Sequence, residues 1–289
     1  MKDKLACYAR LIRIEHTLFS LPFAYSGAIL VRPPNLKEFI LILTALFGIR
    51  AYSLIINNLL DINIDRANPR TANRPLPSGC VSVIEAITLG ILSLILYFIS
   101  AALLNYYALL LSPIFPILST IYPLLKRCCP IAHFWLGAIL GSSVIGGSIA
   151  VSGDAPTLID ALGRVPWIYV ISVWLWVASF DSIYAIEDIE FDRKYGLHSV
   201  PADYGIEKTK AIVEFSSLIF SALMIWSMKV YSLNVFSSLL MAYGLGTYWK
   251  LIGMLELDPY EAASKSLNVN VKVGVALGVA PLLKLLPLM

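Results

Sequence analysis

A chain of 289 residues that is 58% hydrophobic and only 14% charged lies outside the range of ordinary soluble domains, whose apolar share is nearer 45–50%; its mean hydropathy is +0.76. The net charge of +3 is too small and too divided among loops to support nucleic-acid binding. What remains is an all-α protein of a lipid bilayer, expected as one polytopic domain over residues 1–289, because no hydrophilic block is long enough to fold apart.

Apolar runs of about bilayer length are expected at 17–31, 39–60, 83–104, 107–125, 131–152, 165–187, 211–230, 233–255 and 268–286, which makes nine spans around a central cavity. The first is short, and Leu11, Ile12 and Ile14 extend it as an amphipathic approach. No cleavable signal is expected there, since Arg32, Pro33 and Pro34 follow the run instead of a small-residue site. Glu15 and His16 precede it and read as a helix end or as part of the cavity mouth.

Arg50 stands inside the second span. A lone arginine costs about 2.5–3.5 kcal/mol at a helix centre on insertion scales, so it must face a partner or a cavity. It would either pair with an acid further along the helix or bind the carboxylate of a substrate. Next come Asn57, Asp61 and Asp65, at steps of four on one helical face, and the loop that follows carries Arg66, Arg70 and Arg74. Such an acid column is either a solvated helix end or a seat for a hard divalent cation. Mg²⁺ accepts one or two carboxylates and completes its shell from water and substrate phosphates, which Arg70 and Arg74 would grip by charge-assisted forks.

Tyr122 and Lys126 close the fourth span, where a lysine usually snorkels to the surface. The small residues of 137–147 read as helix packing. The sixth span then repeats the acidic pattern: Asp181, Tyr184, Asp188 and Asp192, followed by Arg193 and Lys194. Two acid columns, each trailed by base, read as halves of one metal-diphosphate site, and their offset of four spans suggests a loose internal repeat. His198, between Gly196 and Pro201, belongs to a structured turn.

Sixteen of the 22 lysines and arginines fall on the side of the N-terminus, which the excess of basic residues assigns to the cytoplasm together with both acid columns. Cys7, Cys80, Cys128 and Cys129 share that side, and all four are expected as thiols.

The segments NNLLDINIDRANPRTANRPLPSG and DSIYAIEDIEFDRKYGLHSVP resemble the two aspartate-rich signatures of the UbiA superfamily of intramembrane aromatic prenyltransferases. Asn57, Asp61 and Asp65 match its NDxxDxxxD motif, with Asn58 where many members carry Asp; Tyr184, Asp188 and Asp192 match its DxxxD motif and preceding tyrosine. The resemblance is strongest to the 4-hydroxybenzoate polyprenyltransferase branch. It implies nine helices and Mg²⁺ held by Asn57, Asp61, Asp65, Asp181, Asp188 and Asp192, with Asp61, Asp65, Asp188 and Asp192 catalytic. It further implies an isoprenyl diphosphate bound by Arg70, Arg74, Tyr122 and Lys126, and an aromatic acid held near Arg50 and Tyr184. The activity would be prenyl transfer for quinone biosynthesis at the plasma membrane, with dihydroxynaphthoate or a glycerol-phosphate lipid as alternative acceptors. An ion-coupled carrier is the reading from another class, but carriers keep their acids near the midplane.

Overall fold

The computed structural model describes residues 2–286, with side chains described for 4–13 and 18–286; Glu15 and His16 lie outside the described side chains. Every element among them is helical. In chain order these are α1 (Lys2–Ile12), α2 (Ile14–Val31), α3 (Leu36–Leu60), α4 (Ile62–Ala67), α5 (Val83–Leu104), α6 (Tyr106–Leu111), α7 (Ile114–Leu125), α8 (Ala132–Ala150), α9 (Leu158–Gly163) and α10 (Trp167–Tyr184). A 3₁₀ turn (Ala185–Asp188) leads to α11 (Ile189–Tyr195), α12 (Val200–Val230), α13 (Val235–Leu257), α14 (Pro259–Val279) and a last 3₁₀ segment (Ala280–Leu285).

The long helices start where side chains can satisfy their orphan amides. Asn35 and Glu38 cap α3 reciprocally, and Ser82 and Glu85 do the same for α5. Helix α3 packs on α5, α8 on both α2 and α10, α10 on α12, and α13 on α14. Trp176, Tyr169, Tyr248, Phe220 and Phe23 are fully buried in the largest core.

The helices follow the expected order, and among the described residues seven runs are long and apolar enough to cross a membrane, with α6–α7, α10–α11 and α14 plus the last 3₁₀ segment each counted as one. The apolar run Leu18–Val31 is shorter, and α13, which carries Lys250 and Glu256, lies outside that set. The protein is an integral membrane protein.

Two expectations are corrected. Neither acid column rides one continuous helix: α3 stops at Leu60 and α10 at Tyr184, so each column crosses a break into a short helix. The thiol expectation fails for Cys7 and Cys80, which form a disulfide with their Cα atoms 6.1 Å apart. Helix α1 lies against the start of α5, where Lys4 and Tyr8 both bond Glu85, and this brings Cys7 onto the turn before α5. Cys128 and Cys129 remain thiols.

Candidate active site

The two breaks bring the columns together at one end of the bundle. Asp61 (φ −94°, ψ 6°) is the N-cap of α4, and Asp188 (φ −101°, ψ 5°) is the N-cap of α11. Asp61 and Asp65 are buried. Each is held by an arginine. The Arg74 Nη1 lies 3.0 and 2.8 Å from the two oxygens of Asp65, while Arg127 Nη2 donates to Asp61 Oδ1 at 3.3 Å and to the Leu60 carbonyl at 2.5 Å.

Arg70 crosses to the second column. Its Nη2 and Nε donate to Asp188 at 2.7 and 3.3 Å, and its Nη1 donates to the Tyr184 hydroxyl at 3.0 Å. The loop is shaped for this reach by Asn68, whose side-chain oxygen accepts from the Arg70 amide, and by Thr71, whose hydroxyl donates to the Asp65 carbonyl. Burial disfavours the Arg70 charge, but Asp188 and Tyr184 more than offset this and hold it above the ordinary guanidinium range.

The Lys126 ammonium lies 5.0 Å from the Tyr122 ring centroid. Tyr122 raises its pKa most, with Asp181 and Asp61 adding to the effect against burial; one cation therefore faces both columns. The His198 amide donates to the Lys126 carbonyl at 2.8 Å, so the turn capped by left-handed Gly196 (φ 64°) is tied to the end of α7. The His198 ring bonds Asp203.

Asp181 is engaged by a histidine. His133 Nδ1 is 2.7 Å from Asp181 Oδ2, and the Val200 amide donates to His133 Nε2 at 3.2 Å. A backbone N–H can only donate, so Nε2 is the acceptor and Nδ1 carries the proton toward Asp181. Asp192 lies on α11 within reach of Ser199. His133 and Arg127 are the residues that the sequence reading missed: Arg127 adjoins Lys126 in a short basic loop, and His133 is the lone histidine of an apolar helix.

Among the described residues no three His, Cys, Asp or Glu side chains gather as a ready metal cage. The donor set nevertheless fits Mg²⁺, which needs only one or two carboxylates when a substrate supplies phosphate oxygens. Asn57 gives the observation that decides this fit: its Oδ1 is buried and has no hydrogen-bond partner, an acceptor left open beside Asp61. Asn58, in contrast, bonds back to the Leu54 carbonyl.

Below this polar end, Arg50 lines a cavity of about 100 Å³ between α2, α3, α5, α7 and α8. Its Nε is buried without a partner, and no described carboxylate pairs with it. The option that Arg50 serves an acid of the column is not realised.

The sequence pattern of the UbiA prenyltransferase family matches residues 20–270. The chain belongs to this family. The enzyme, a prenyltransferase, is 31% identical over 271 residues to the 4-hydroxybenzoate octaprenyltransferase of Shewanella pealeana, with 90% of each chain covered. It is similar in structure to a UbiA homologue of Aeropyrum pernix K1 in its apo form, at 43% identity and a TM-score of 0.89, covering 94% of this chain and 99% of that one. A UbiA homologue of Archaeoglobus fulgidus, bound to GPP and Mg²⁺, shares the fold at 24% identity and a TM-score of 0.68, covering 95% and 99%.

Proposed function

We propose that the enzyme transfers a prenyl group from an isoprenyl diphosphate to a ring carbon of 4-hydroxybenzoate or a closely similar aromatic acid, at the cytoplasmic face of the plasma membrane. The observation that carries the acceptor is Arg50. An unpartnered guanidinium over an apolar cavity calls for an anion that brings its own apolar body, and an aromatic carboxylate is such a molecule. The curated relative named above for 4-hydroxybenzoate supports the same choice.

The arginines that neutralise the carboxylates can exchange partners. Arg70 and Arg74, with Lys126 and Tyr122, would turn to the diphosphate, freeing Asp188 and Asp65 to hold Mg²⁺ together with Asp61, and with Asn57, Asp181 and Asp192 nearby. Bound there, the cation would neutralise charge growing on the departing diphosphate. The allylic C–O bond breaks with its electron pair leaving on the diphosphate, and the ring carbon forms the new C–C bond at the allylic carbon. The ring proton then passes to a carboxylate of the second column. Arg50 orients the acceptor by its carboxylate, Tyr184 offers a ring face to the allylic carbocation left by C–O cleavage, and the apolar walls keep water from competing.

The test is incubation of purified enzyme with Mg²⁺, radiolabelled geranyl diphosphate and, separately, 4-hydroxybenzoate, dihydroxynaphthoate and a glycerol-phosphate lipid. Label is expected in 4-hydroxybenzoate above the others. Preferential labelling of the glycerol lipid would overturn the acceptor assignment.

A further inference from the structure

The small-residue segment 137–147 of α8 reads as a packing surface, and most of its glycines serve that end. A Cβ on Gly137 would stand 2.2 Å from the Trp174 carbonyl oxygen, one on Gly147 1.8 Å from that of Ala24, and one on Gly141 3.2 Å from that of Val170. Gly146 differs: a Cβ there would meet nothing within 4 Å. Glycine in a helix interior is unfavourable relative to alanine, so packing leaves Gly146 without a reason. Its place supplies one, since Gly146 lines the cavity that contains Arg50.

Ser142, Gly146 and Ala150 stand at steps of four along the wall that α8 gives to this cavity, opposite Ala45 of α3 and Ala101 of α5. Arg50 stands 11 residues from Asp61 on α3 and Gly146 stands 13 from His133 on α8, so the opening at Gly146 lies slightly deeper than the acceptor site and is walled by small and apolar side chains. Along α3 the lining runs from Ser53 to Ile42, about 16 Å at 1.5 Å per residue. From His133 to Gly146 is roughly 20 Å along α8. Each isoprene unit adds four chain carbons, or roughly 5 Å from bonds near 1.5 Å. A chain whose diphosphate sits among the cations near Asp181 thus reaches Gly146 at about its fourth unit.

We propose that Gly146 sets the length of prenyl chain the enzyme accepts, by leaving open the deep part of the cavity into which the distal isoprene units pass. The proposal rests on the prenyl-transfer reading above. It is tested on purified enzyme with Mg²⁺ and 4-hydroxybenzoate by comparing geranylgeranyl with geranyl diphosphate, four units against two. Gly146→Leu is expected to lower the ratio of kcat/KM for the longer over the shorter donor by about tenfold or more. Gly146→Ala adds one methyl group to open space, so it should fold as wild type does and move the ratio the same way by about threefold. Equal loss for both donors, or an unchanged ratio in both variants, overturns the proposal. Wild-type enzyme that transfers neither donor would overturn the prenyl-transfer reading itself before any variant is compared.

Discussion

The two halves of the polar end share a backbone and divide the electrostatics. Asp61 and Asp188 adopt nearly the same φ and ψ, each ends a long helical run, and each caps a helix of six or seven residues. Their neutralisation is not repeated. The first column is neutralised by Arg74 from its own loop and by Arg127 from the α7–α8 connection, whereas Asp188 is neutralised by Arg70, which the first half supplies, and Asp181 only accepts a hydrogen bond from His133. A backbone turn that occurs twice thus carries a site that neither occurrence completes.

The largest expected effect comes from breaking the symmetry at its matched carboxylates. Asp61→Asn and Asp188→Asn should each lower kcat by about 10³-fold or more, since several kcal/mol of leaving-group stabilisation depend on them. Steady-state assays on variants that remain folded by size exclusion check this; a tolerant column would make the halves unequal. Arg50→Ala should raise the KM for 4-hydroxybenzoate by roughly 10- to 100-fold while leaving geranyl diphosphate affinity unchanged. Arg50→Lys should recover only part of that loss, because an ammonium lacks the planar fork.

Arg70→Ala and Arg74→Ala should each weaken diphosphate binding by about tenfold, read by calorimetry with a non-hydrolysable analogue. If Arg70 joins the halves, its loss should also raise the cation affinity of the second column, because Asp188 no longer has a competing cation, and loss of Arg74 should not do so. The smallest effect is a shift with pH. Burial pushes the Asp61 carboxyl above its ordinary range, with Lys126 and Arg127 opposing. Protons compete with the cation for that carboxylate, so Mg²⁺ affinity should fall on acidification sooner than for an exposed carboxylate. Arg127→Ala should move the midpoint to still higher pH in a Mg²⁺ titration.

The acids themselves were legible, because a step of four on an apolar helix has a single geometric meaning. The helix breaks at Asp61 and Asp188 were not, since no glycine or proline marks them and only the tertiary meeting of the halves explains them. Loop charge identified Arg70, Arg74 and Lys126 as one basic group, yet which arginine reaches which carboxylate depends on the Asn68 turn and on contacts more than a hundred residues apart. Arg127 and His133 act through side chains whose partners are distant in sequence, and spacing carries no trace of such pairs. The glycines of α8 all read alike until their neighbours were known.

The disulfide between Cys7 and Cys80 also constrains how the chain is threaded. Two sulfurs can join only if both lie on one side of the bilayer, so the intervening chain must traverse it an even number of times. Helices α2 and α3 are the long helices in that interval, and α3 qualifies as a crossing by itself. Parity therefore requires α2 to cross too, despite its short apolar run, and it does so whichever face of the membrane the N-terminus occupies.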